Sequence, residues 1–159
     1  MNLNSDPDTK DRIFAALVYL LPFIYVLPFG LFLLRQFPFL GIIYLPLVPV
    51  INLYFALPFA GIIVFFALWF AVVRNDKISY FIRFNTMQAI LLDILLILFS
   101  LIMSILSNGF GGQSLITETL NNTIFIGTVV TCFYGIIQSV RGLYAEIPTI
   151  SEAASSQIR

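Results

Sequence analysis

The 159-residue sequence contains no histidine, a single cysteine and only 10% charged residues. The missing histidine excludes histidine acid–base chemistry, zincin motifs, histidine-ligated metals and the Ser-His-Asp triad together. Cys132 has no intrachain partner for a disulfide and lies in an apolar run, where a small packed thiol is expected. Eight basic residues balance eight acidic ones and are scattered along the chain, so there is no electrostatic footprint for nucleic acid. No carboxylate pair, Ser-Lys pair or Cys-His pair is discernible by spacing. The stretch Gly109-Phe110-Gly111-Gly112 precedes no basic residue, which argues against a phosphate cradle. No catalytic residue, cofactor or metal site is therefore expected, and an enzyme is the least supported class.

Apolar residues fill the gap that the charges leave. They make up 60% of the chain, and the mean hydropathy is +0.99, far from soluble proteins, in which about a quarter of residues are charged. The composition predicts an all-α integral membrane protein, and the length leaves room for one small bundle. Ile13 to Leu34 is 22 residues without a charge, enough to cross about 30 Å of hydrocarbon, with Pro22 and Pro28 as kinks. A 38-residue uncharged run follows, Gln36 to Val73. Pro38, Pro46 and Pro49 crowd its first part, so 37–50 is expected to be an interfacial or re-entrant segment and 51–73 the second span, with Pro58 inside it. Spans over 84–106 and 122–144 complete a four-helix bundle, separated by a glycine-rich breaker at 107–113. Residues 1–12 form a polar N-terminal segment, and 145–159 a polar tail expected to be disordered.

With four spans, one side holds Lys10, Arg12, Arg74, Lys77, Arg83, Arg141 and Arg159, and the other holds only Arg35. By the positive-inside rule both termini face the cytoplasm or stroma. The acidic, polar N-terminus resembles neither a secretory signal nor a transit peptide, so synthesis in the compartment whose membrane the chain enters is expected.

Asp93 is the one carboxylate deep inside a lipid-soluble stretch, and a charge at that depth costs several kcal/mol by insertion scales. On a helix, Gln88 lies about 60° to one side of Asn85 and Asp93 about 80° to the other, one polar face spanning roughly 140°. This face is either a water-accessible lining or a set of interhelical hydrogen bonds. Arg83 is about 15 Å from Asp93 along the helix, too far to pair with it. Matching depths on an antiparallel fourth span sets Asp93 beside Thr131 to Tyr134 and Gln88 near Gln138. The last span also repeats small residues at every fourth position, Gly127, Thr131, Gly135 and Ser139, a stripe suited to close helix packing within the bundle or between copies.

Three patches carry a family resemblance: Asp11 to Leu17, Val72 to Asn75 and, most specifically, Arg83-Phe84-Asn85-Thr86-Met87-Gln88-Ala89-Ile90-Leu91-Leu92-Asp93-Ile94. The chain resembles the twenty-kilodalton membrane subunit of the translocon at the chloroplast inner envelope, the Tic complex, and most of all its cyanobacterial members. The resemblance implies four transmembrane helices, both termini on the stromal or cytoplasmic side, and a channel-forming or channel-associated part in preprotein translocation. Membrane lipid, other membrane proteins of a translocon-like complex or a homo-oligomer, and the translocating polypeptide are the expected partners, in a cyanobacterial membrane or the plastid inner envelope membrane. A membrane assembly factor and a small-solute or ion transporter are the competing readings.

Overall fold

In the computed structural model the described residues are 6–110 and 114–158, and every regular element among them is helical. Part of the expected breaker, Gly111 to Gln113, lies outside them, as do residues 1–5 of the polar segment and Arg159 of the charge tally.

Helix α1 (Thr9–Leu17) starts within the expected polar segment because Asp8 caps it, accepting from the Thr9 amide at 2.7 Å, while Asp11 sits in its first turn. α2 (Leu20–Tyr25) continues it. A 3₁₀ turn (Leu27–Gly30) then leads into α3 (Leu31–Gln36), and the two halves of this first membrane stretch meet at a 53° bend. Pro28 lacks the amide that would continue the ladder, which accounts for the break. The Tyr44 hydroxyl donates to the Phe23 carbonyl there at 3.1 Å, and the two rings stack at 4.5 Å. Gly30 is required at the bend, since a Cβ would run into the Phe125 ring of the last long helix.

The next segment departs from expectation. Residues 38–56 form one continuous helical run, ten residues of 3₁₀ helix (Pro38–Leu47) followed by α4 (Val48–Ala56), so the chain does not divide at residue 50. The tight winding tolerates Pro46 and Pro49, and at about 2.0 and 1.5 Å per residue the run measures roughly 33 Å, long enough to cross a bilayer. The break falls at Pro58, inside the expected second span. Leu57, preceding the proline, is forced extended, and Phe59 turns left-handed at φ 62°. α5 (Ala60–Leu68), extended by a π turn (Trp69–Val73), is then 14 residues long and shorter than a span.

α6 (Tyr80–Phe110) and α7 (Leu115–Val140) are the long members, 31 and 26 residues. The expected breaker begins late: Ser107 to Phe110 are the last residues of α6, and Ser114 caps α7 by accepting from the Thr117 amide at 3.2 Å. Among the described residues three helices are long and apolar enough to cross a membrane, four if the bent first stretch is one span, in agreement with an all-α membrane bundle. Contrary to the expected disorder, residues 145–158 of the tail pack on the bundle. After Gly142, left-handed at φ 75°, the chain returns along α6 as α8 (Ile150–Gln157). Ala154 and Ile158 are buried against Val73, Phe84, Met87 and Ile90, apolar contact that a reading of the tail's polar composition overlooks.

Candidate functional site

α6 presents its polar residues in two directions. Asn85 and Gln88 point into the core, where α1, α7 and α8 converge on them, and both are fully buried. The Tyr19 hydroxyl lies 2.9 Å from Asn85 Oδ1 and 2.5 Å from Gln88 Oε1 and shares its one proton between them. The Ser139 hydroxyl donates to Asn85 Oδ1 at 3.2 Å. Carbonyl acceptors fix the amide orientations: Asn85 Nδ2 donates to the Phe81 carbonyl at 2.8 Å, and Gln88 Nε2 to the Ala145 carbonyl at 2.9 Å. Gln88 Nε2 also donates to Ser151 Oγ at 2.6 Å. That hydroxyl accepts from the Ile147 amide at 2.7 Å and donates to the Ala145 carbonyl at 3.1 Å. Gln88 thus ties the C-terminal strap to the bundle, and every polar group of the cluster has a partner, as burial demands.

Tyr19 and Ser151 are the members that the sequence reading missed. Tyr19 sits in an apolar run one turn after Ala15 and Ala16, and this pair of small residues beside a hydroxyl is the signal that could have drawn attention to it. Ser151 gives no such signal in a polar tail.

Asp93 is turned away from this cluster. Five residues beyond Gln88 it is rotated by about 140°, and it lines a cleft of about 600 Å³ between α6 and the α4–α5 hairpin, with Tyr25, Tyr54, Phe59, Ile62, Phe66 and Ile97. Its Oδ1 is buried and meets no hydrogen-bond donor among the described residues. Arg83 is engaged elsewhere, with the Val73 carbonyl at 2.9 Å and Asp76 at 3.3 Å. Gln138 stays half-buried, reaching only Tyr134 and Arg141 of its own neighbourhood at 3.4 and 3.5 Å.

The small-residue stripe of α7 divides as well. Gly135 and Ser139 are buried, and a Cβ on Gly135 would come within 2.5 Å of the Tyr19 ring. Gly127 is exposed with open space beside it, and the half-buried Thr131 spends its hydroxyl on the Gly127 carbonyl at 2.8 Å. The buried stripe of α7 runs instead through Phe125, Cys132, Gly135 and Ser139.

The family model described as "Chloroplast import apparatus Tic20-like" matches residues 2–154, and thereby takes in the polar cluster, Asp93 and the first half of α8. The chain belongs to the Tic20 family. A Tic20 family protein of Synechocystis sp. is 56% identical over 159 residues, 100% of this chain and 99% of the relative, which makes this chain a cyanobacterial-type member. From Arabidopsis thaliana, Protein TIC 20-II, chloroplastic, is 36% identical over 150 residues, 93% of this chain and 72% of that protein. Protein TIC 20-v, chloroplastic, is 37% identical over 153 residues, 95% of this chain and 72% of that protein. The Tic20 family is a family of translocon components rather than of enzymes.

Proposed function

We propose that this Tic20-family chain is an integral subunit of a protein-translocating membrane complex, and that it works by association with other membrane proteins instead of enclosing a pore alone. The observation that carries this reading is the closed core. Tyr19, Asn85, Gln88 and Ser139 are all at 0% exposure and bonded to one another, so a path along the bundle axis would have to break the entire cluster. Asp93, by contrast, faces a cleft that opens sideways, where another membrane protein can lie. Lipid surrounds the remaining apolar surface; the exposed Leu, Ile, Val and Phe side chains of α4, α5, α6 and α7 suit acyl chains.

In the proposed orientation both termini face the cytoplasm or, in a plastid, the stroma. The seven-to-one bias of basic residues supports this orientation, because residues 38–73 taken together cross once and return the chain to the basic side ahead of Arg74 and Lys77. Thiol labelling of Lys77→Cys and Arg35→Cys from opposite sides supports this topology, and labelling of both from one side contradicts it.

Photo-crosslinking in growing cells tests the function. With a crosslinking side chain at Ile97, in the cleft, pulse-labelled polypeptides should be captured and then lost during a chase as they complete transit. Adducts that persist unchanged through the chase would identify fixed neighbours, and the chain would then be an assembly factor.

A further inference from the structure

We propose that the Asp93 cleft is the docking site for a transmembrane helix of another protein, one that is apolar apart from a single lysine or arginine at the depth of Asp93. The inference deepens the reading of the chain as a complex subunit and rests on it. Asp93 lies ten residues from Arg83, about 15 Å along α6 and half of a hydrocarbon layer of about 30 Å. At that depth a carboxylate calls for a partner, and Oδ1 has none among the described residues. The α4–α5 hairpin reaches α6 chiefly through Trp69–Val73, which leaves Ile94 and Ile97 exposed beside the half-buried Asp93. Phe59, Ile62 and Phe66, at 74%, 56% and 50% exposure, form the outer lip, so the cleft opens into the surrounding apolar phase.

The occupant follows from these facts. Inside the hydrocarbon a polypeptide must satisfy its own backbone groups, which selects a helix over an extended segment. The walls are apolar and aromatic and select apolar side chains. The carboxylate selects one cation. A second copy of this chain lacks the required residue: its eight basic residues, Lys10, Arg12, Arg35, Arg74, Lys77, Arg83, Arg141 and Arg159, all lie at or beyond the ends of the long apolar stretches. The partner is therefore a different polypeptide.

The test uses the full chain in liposomes and a synthetic leucine-rich transmembrane helix carrying one central lysine, with a lysine-free version as reference. A photo-crosslinking side chain at Ile62 reports occupancy of the cleft, and one at Ile137, on the outward face of α7, reports chance encounters. The lysine helix should bind about tenfold more tightly than the reference, crosslink from Ile62 and not from Ile137, and lose its advantage in Asp93→Asn at an unchanged thermal midpoint. Equal binding of the two helices, an advantage that survives Asp93→Asn, or crosslinks from Ile62 that join two copies of this chain would each overturn the proposal. None of these results touches the pulse-chase capture of polypeptides at Ile97, so the docking site and the translocation role fail separately.

Discussion

Replacing Tyr19 by phenylalanine removes one oxygen from the centre of the bundle and leaves its packing in place. The ring still rests on Gly135, and the hydrophobic cluster of Phe23, Val26 and Cys132 around it is untouched. What changes is the hydrogen bonding. Asn85 Oδ1 keeps the Ser139 hydroxyl, but Gln88 Oε1 loses the donor it has in Tyr19. A buried acceptor left unsatisfied costs about 1–3 kcal/mol. The site is at 0% exposure, so water offers little relief without opening the helices. For a chain of this size each kcal/mol moves the melting point by about 2–4 °C, so Tyr19→Phe should lower the thermal midpoint in detergent by roughly 2–12 °C. Tyr134→Phe serves as the control, since that hydroxyl meets only Gln138 at the surface at 3.4 Å, and its midpoint should match the wild type. Combining Tyr19→Phe with Gln88→Leu should cost less than the sum of the two, because the second change removes the acceptor that the first one orphans. A Tyr19→Phe protein that melts with the wild type would refute the closed cluster.

Gly135→Leu should destabilise by about 1–3 kcal/mol because the Tyr19 ring must move aside, whereas Gly127→Leu, with open space around it, should stay within about 0.5 kcal/mol; equal midpoints for the two variants would show that the stripe does not divide as described. Ser151→Ala takes away the acceptor of the Ile147 amide, and hydrogen exchange at that amide should accelerate about tenfold; unchanged protection would mean that the strap is held without Gln88 and Ser151. Asp93→Leu should leave the midpoint of the isolated chain unchanged or raised, since no donor among the described residues loses a partner and hydrocarbon replaces the buried carboxylate; a fall of more than about 3 °C would reveal a partner within the bundle.

The parts of the fold that obey a single local rule are legible in the sequence. The uncharged runs mark the membrane stretches, Pro28 marks the bend, and the amides Asn85 and Gln88 lie on one face of α6 by helical arithmetic alone. The same arithmetic leaves Asp93 ambiguous. A spread of about 140° fits one wide polar face or two separate environments, and only the position of the α4–α5 hairpin decides that Asp93 has its own. Pro58 reads from the sequence as tolerated inside a span, because membrane helices accept proline when neighbours supply the freed hydrogen bonds. Here Leu57 becomes extended and Phe59 turns left-handed, and the helix ends. The strap escaped notice because its buried apolar residues, Ala154 and Ile158, are too few and too far apart to produce a periodic pattern. Tyr19 shows the complementary limit: a hydroxyl among apolar residues announces no partner until the helices carrying Asn85, Gln88 and Ser139 are folded around it.

Release of a small entrapped dye from liposomes holding the purified chain alone, followed as the number of chains per vesicle is raised from below one, tests most directly whether the bundle is closed along its axis. A closed Tyr19–Asn85–Gln88–Ser139 cluster predicts vesicles that stay tight at one chain each. Release that rises linearly from the lowest occupancy, as a pore within each single chain would give, would contradict it.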